Sequence, residues 1–263
     1  MTLEVTDLTI GFADRTVVDR VSFTVPDGAR FGIIGESGSG KSLTTLAILG
    51  LLPEAAVASG SIRLDGTELL GLRERDLARI RGLHVGVVFQ DPQTALNPLR
   101  TIGRQLAEPL RLHGMATRRQ ERAEAIRLAE LVRLPEAERM VDLYPHQLSG
   151  GQRQRVAIGI ALACSPGLLL ADEPTTALDV TTQAEVLGLF DRLVTDTGAS
   201  LVFVTHDLAV LAQVSTDVLV LSHGRAVEAG PVARILADPM DPVTAGLVAA
   251  ARATSFTPIQ EGP

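Results

Sequence analysis

Residues 3–10 alternate apolar and polar side chains, the period-two pattern of a half-buried strand, and Gly11 turns the chain before residues 16–25 read as one or two further strands. Pro26-Asp27-Gly28 reads as a turn. A short apolar run at 31–35 then feeds a glycine-rich loop, residues 42–52 favour a helix, and residues 61–64 with Asp65-Gly66 predict a strand and hairpin turn. The continuous apolar run 85–89 is strand-like and stops at Gln90-Asp91-Pro92.

Beyond it the period becomes helical. Ile102, Leu106 and Leu110, then Ala125, Leu128 and Leu131, recur between charged residues, so 92–163 is expected to be a mainly helical insert. Within it Arg118, Arg119, Glu121, Arg122 and Glu124 alternate in sign, as on a solvated helix face. Residues 168–171, 201–205 and 217–222 are buried-strand candidates separated by helical stretches at 181–195 and 208–213. Strands alternating with helices predict an α/β fold, a parallel sheet with helices on its faces. Two short helices follow at 231–237 and 242–252, and residues 258–263 read as a frayed tail.

A chain of 263 residues with 46% hydrophobic content can bury a substantial core. Its net charge of −7 and pI near 5.3 disfavour nucleic acid as the main partner. Cys164 is the only cysteine, which excludes an intrachain disulfide and suits a small buried apolar group. Residues 1–5 show no secretory signal, and the longest apolar runs have the length of strands, so membrane work would pass through a partner.

Candidate chemistry concentrates at three places. Gly35-Glu36-Ser37-Gly38-Ser39-Gly40-Lys41-Ser42 matches the phosphate-binding spacing G-x-x-x-x-G-K-[ST] between a strand and a helix. Its glycines let backbone N–H groups approach phosphate oxygens, and the helix N-terminus adds partial positive charge. Lys41 is the only lysine in a chain whose other cations are all arginine, so the ammonium stands where a compact point charge is required. Ser42 offers a hydroxyl to Mg²⁺. The apolar run ending in Asp172-Glu173 places one carboxylate to hold the metal and another to polarise a water for attack on a γ-phosphate. Leu148-Ser149-Gly150-Gly151-Gln152, ahead of a helix, forms a second anion site. Two such sites in one chain are accounted for if the second caps a nucleotide held by the first in another copy. Gln90 and His206 each lie just past an apolar strand, where ligands gather in parallel sheets. His84, His113 and His223 have no such setting.

These motifs, with Thr176-Ala177-Leu178-Asp179, stand in the order and at the separations of the ATP-binding subunits of ABC transporters, which the chain resembles over roughly residues 3–245. The resemblance implies a P-loop NTPase (RecA-like) α/β core with an antiparallel β lobe and an inserted helical lobe. It divides the chain into a core at 1–91 and 164–230, a helical lobe at 92–163, a C-terminal helical extension at 231–253 and a tail at 254–263. It implies ATP and Mg²⁺ as cofactors. Glu173, His206, Gln90 and Lys41 become catalytic; Ser42, Gln90 and Asp172 face the metal. Nucleotide contacts fall to Phe12 against the adenine, to Gly35, Ser37, Gly38, Ser39, Gly40, Lys41, Ser42 and Leu43, and to Ser149, Gly150, Gly151, Gln152 and Asp179.

Residues 89–98 and 144–149 are similar to the subfamily that energises uptake of oligopeptides, dipeptides or nickel complexes, and 51–60 to the first ATPase of its usual pair. Asp241 and Val243 depart from it, since the subfamily commonly has His and Tyr there. The implied partners are two transmembrane permease subunits, a second ATPase subunit that is a related chain or a copy, and indirectly an extracytoplasmic solute-binding protein. The implied place is the cytoplasmic face of the membrane. A different class, a non-transport ATPase of DNA repair or translation, would usually bring coiled coils, a tandem ATPase domain or basic linkers, and the sequence carries none.

Overall fold

A computed structural model describes residues 1–91, 95–176 and 178–255. The expectations for Pro92, Gln93, Thr94, Ala177 and the tail beyond 255 lie outside the described residues.

Among the described residues, ten strands form two sheets. β1 (Leu3–Phe12), β2 (Arg15–Val25), β4 (Ala56–Leu64) and β5 (Thr67–Glu68) make an antiparallel sheet in the order β2-β1-β4-β5. β3 (Arg30–Gly35), β6 (Val85–Val88), β7 (Leu168–Asp172), β8 (Ser200–Thr205), β9 (Asp217–Ser222) and β10 (Arg225–Pro231) make the second, ordered β10-β9-β3-β8-β7-β6. Within it β9, β3, β8, β7 and β6 run parallel, and only the edge strand β10 is antiparallel.

Strands buried on both faces send alternate residues to different cores. Leu168, Leu170, Val202 and Val204 pack with the antiparallel sheet and with Ala47 and Ile48 of the helix Lys41–Ile48. Leu169, Ala171, Leu201 and Phe203 point the other way, into one cluster with Ile102, Leu106, Leu128 and Val156 of the helices between β6 and β7 and with Phe190 of the helix Val180–Thr197. Phe190 and Phe203 meet edge to face at 5.8 Å. The helical insert therefore shares its core with one face of the sheet.

Several elements differ from the pattern-based expectation. β4 begins at Ala56 rather than near 61, because its small residues carry little strand signal but pair with β1 as far as Phe12. That pairing shifts register between Thr6 and Thr9, where Gly60 adopts φ 104° and a Cβ would lie 2.6 Å from the Asp7 carbonyl oxygen. β10 gave no apolar alternation and exists through its hairpin to β9, turned at His223 and Gly224 with φ 47° and 79°. The helix Glu74–Ile80 has a single buried apolar residue, Leu77, too few for a period. The helix after the phosphate loop stops at Ile48, ahead of Gly50 at φ 62° and Pro53.

The helix Gly150–Leu162 lies hard against β6, where a Cβ on Gly86 would stand 2.2 Å from the Ala161 carbonyl oxygen. Backbone cannot yield as a side chain can, so Gly86→Ala is expected to destabilise the chain by about 2–3 kcal/mol. A urea midpoint equal to that of the wild type would show that the two elements are not in fixed contact.

Candidate functional site

β3, β8, β7 and β6 are neighbours and parallel, so their C-terminal ends open at one edge of the sheet. The residues that follow them are the loop from Gly35, His206, Glu173 and Gln90 respectively. Segments far apart in the chain thereby deliver their polar side chains into one crevice.

The loop is shaped by glycine at points where other residues fail. Gly38 and Gly40 have φ 80° and 102°, and Gly40 is the N-cap of the helix Lys41–Ile48. A Cβ at Gly35 would stand 2.1 Å from the Leu221 carbonyl oxygen of β9. Lys41 is only 5% exposed and folds back over the loop, its Nζ donating to the carbonyls of Gly35 at 2.7 Å and Glu36 at 2.9 Å. Burial pushes the Lys41 pKa down, while the Glu173 and Asp172 carboxylates oppose that shift.

Glu173 follows β7 in the left-handed region at φ 47°, with its N–H donating to the Val204 carbonyl at 2.8 Å. Its Oε2 accepts from Gln90 Nε2 at 3.2 Å and Thr176 Oγ1 at 3.0 Å and lies 3.2 Å from His206 Nδ1. Its Oε1 is 4.0 Å from Lys41 Nζ. The one carboxylate thus connects all three neighbouring segments.

Asp172 is 7% exposed, and burial raises its pKa against a hydrogen bond with Ser42 and the nearby Lys41 charge. Its Oδ1 is buried with no hydrogen-bond partner, as is the Ser39 hydroxyl. Among the described residues no cluster of three or more His, Cys, Asp or Glu could hold a metal alone. A lone carboxylate with an unpaired oxygen, a serine hydroxyl and an amide oxygen at Gln90 are hard donors that suit Mg²⁺, which binds through few protein oxygens together with substrate phosphates.

A cavity of about 680 Å³ is lined by the loop residues Gly35, Ser37, Gly38, Gly40, Lys41, Ser42 and Leu43 together with Gln90, Glu173 and His206. That volume suits a nucleotide-sized ligand. Glu36, Thr176, Val17 and Leu247 complete the lining; Glu36 and Thr176 fall within motifs named above but without a role of their own, and Val17 and Leu247 were not singled out in the sequence. Thr176 stands three residues after Glu173, a spacing that reaches back across a turn; Val17 and Leu247 carry no sequence signal. Phe12, expected at the adenine, ends β1 half-buried opposite Arg15 and Ala56 and is not in the lining, where Val17 stands instead.

Ser149 caps the helix Gly150–Leu162, its Oγ accepting from the Gln152 N–H at 3.2 Å while Gln152 Oε1 accepts from the Ser149 N–H at 2.9 Å. With Gly151 and Gln152 it lines a separate cavity of about 230 Å³, shared with Arg133, Arg155 and Thr182. Asp179 caps the helix Val180–Thr197, accepting from the Thr182 N–H at 3.0 Å and hydroxyl at 2.6 Å, and those bonds hold its carboxyl below the usual range. Neither Ser149 nor Asp179 lines the larger cavity.

The family model for the ABC transporter matches residues 18–176. The glutathione import ATP-binding protein GsiA of Pectobacterium atrosepticum is 46% identical over 259 residues, covering 94% of this chain and 42% of its own length. The oligopeptide transport ATP-binding protein OppD of Salmonella typhimurium is 43% identical over 250 residues, 94% of this chain and 75% of that protein. The chain thus spans less than half the length of the first relative and three quarters of the second. Among solved structures, the ATP-binding cassette MJ0796 in a dimeric post-hydrolysis state bound to ADP and Pi aligns with a TM-score of 0.76 at 30% identity, over 88% of this chain and 98% of that one. With its fold shared by that cassette and well over half its residues matched by the family model, the chain belongs to the ABC transporter family.

Proposed function

We propose that this chain binds and hydrolyses ATP as one of a pair of ATPase subunits that energise import of peptides across a membrane, small peptides such as glutathione included. The observation that carries the hydrolytic part is the Glu173 carboxylate, held in one cavity with Lys41, Gln90 and His206. Support for the substrate class comes from the relatives, one named for glutathione import and one for oligopeptide transport. Neither name supports the nickel or the DNA repair and translation readings.

In this mechanism the loop amides from Gly35 to Leu43 cradle the phosphates, and Lys41 moves its ammonium from the loop carbonyls to the β- and γ-oxygens. Asp172, Ser42 and Gln90 would hold Mg²⁺, which neutralises phosphate charge when bound. Glu173 orients and polarises the attacking water, and Gln90, Thr176 and His206 fix the carboxylate's direction. His206 also reaches the γ-phosphate. Ser149, Gly151 and Gln152 line a different cavity, so with Gly150 they serve the nucleotide of a second subunit docked head-to-tail, with Asp179 at that junction. The solved relative is itself dimeric. Loss of the γ-phosphate removes the contacts that close the pair.

No helix among the described residues is long and apolar enough to cross a membrane. By analogy with the import relatives, the subunit works from the cytoplasmic face, touching two permease subunits through the loop after Gln90 and the 92–163 helical lobe, with a solute-binding protein acting upstream. The core at 1–91 and 164–230 supplies the nucleotide site, and 231–253 forms the C-terminal extension.

Glu173→Gln should retain ATP binding and lower turnover by roughly 100-fold or more, the scale of a lost general base. Steady-state phosphate release at wild-type rate from that variant would remove Glu173 from the base role. Because the two anion sites lie in separate cavities, specific activity should rise with protein concentration and level off as pairs form. A rate per chain that stays flat down to a monomer verified by sedimentation would contradict the shared site.

A further inference from the structure

Leu247 lines the nucleotide cavity although it lies on the C-terminal helix Pro242–Ser255, more than 200 residues after the phosphate loop. The helix reaches the cavity from a definite side. Ile34, Val218 and Val220 pack with Leu208 and Leu211 and with Val248 and Ala251 of this helix. Ile33, Leu219 and Leu221, their neighbours in β3 and β9, pack with Ala47 and Ile48 of the helix Lys41–Ile48. Alternate residues of a strand face opposite sides of the sheet. The phosphate loop is therefore flanked on one side by its own helix and on the other by the C-terminal helix, alongside the short helix Leu208–Val214 that begins just after His206.

The start of the C-terminal helix is fastened. Glu228 of β10, 9% exposed, accepts from the N–H groups of Met240 at 3.1 Å and Asp241 at 3.1 Å and pairs with Arg234 at 3.0 Å. Farther along, Arg252 donates to the Leu236 carbonyl at 2.6 Å. The backbone at Met240 and Asp241, together with Arg234, converges on one buried carboxylate, which sets the helix's position and with it the placing of Leu247.

We propose that the C-terminal helix is a wall of the nucleotide site, with Leu247 packed beside the phosphate end of bound ATP and held there by the Glu228 clamp. The inference rests on the ATP reading above. Leu247 makes the wall apolar where the triphosphate's charge is greatest, leaving the phosphates to the loop amides and Lys41.

Charge at position 247 tests this, because a residue beside four phosphate charges responds to the sign of its own charge, whereas a packing residue does not. ATP affinity is measured by calorimetry on the full chain for wild type, Leu247→Ala, Leu247→Glu and Leu247→Arg, with Ala249→Glu, exposed on the same helix, as the control. Leu247→Glu is expected to bind ATP at least about fivefold more weakly than Leu247→Arg, a gap that narrows in high salt, with the control close to wild type. Equal ATP affinities for the Glu and Arg variants, with thermal midpoints retained, would overturn the proposal. If either charged variant fails to fold, Leu247→Ala decides: roughly threefold or greater weakening is expected from the lost apolar contact, and wild-type affinity refutes it. Wild-type protein that binds no ATP would instead refute the nucleotide reading, and this inference with it.

Discussion

One ammonium buried beside two carboxylates organises this molecule. Lys41 has left water to sit under its own loop, satisfied by the Gly35 and Glu36 carbonyls and within 4.0 Å of Glu173, while Asp172 keeps an oxygen with no partner at all. Buried charge of this kind is costly unless compensated, and the protein's own groups leave the Asp172 Oδ1 uncompensated. The arrangement makes sense as a site built for something that brings phosphate oxygens to the ammonium and a cation to the carboxylate.

The surrounding fold exists to hold that charge arrangement in register. Parallel pairing of β3, β8, β7 and β6 brings four strand ends to one edge, so residues 35, 90, 173 and 206 meet although the chain separates them widely. Burial of both faces of these strands, one under the antiparallel sheet and the phosphate-loop helix and the other under the helical insert, leaves little freedom for a strand to slide. A shift of one residue would exchange Phe203 with Val202 between cores of different size and move His206 away from Glu173.

The same rigidity fits the proposed sharing of the site between two subunits. Ser149 is locked into a capping box at the head of a helix that presses on β6, and it opens into a cavity apart from the phosphate loop. Asp179 is likewise committed to its own helix terminus. Groups fixed so firmly, and opening into a separate cavity, suit the proposed reading in which they meet a ligand presented by another molecule.

The sequence by itself determined the elements whose signal is local. The spacing from Gly35 to Ser42, the apolar runs that end in Asp172-Glu173 and in Thr205-His206, and the serine-glycine stretch at 149–151 are each legible because chemistry demands particular residues at fixed neighbouring positions. The long strands and the 101–134 helical period were legible for the same reason, since burial repeats every two residues or every three to four. Tertiary structure decided the rest. β10 and the first half of β4 are strands only because β9 and β1 offer them hydrogen-bond partners, and their small residues bury too little to announce it. Val17, not Phe12, lines the cavity because the β1–β2 pairing sets which side chain turns toward the loop. Leu247 joins the site from the far end of the chain through sheet order and a single buried glutamate, and contacts of that range leave no periodicity or spacing for a linear reading to find.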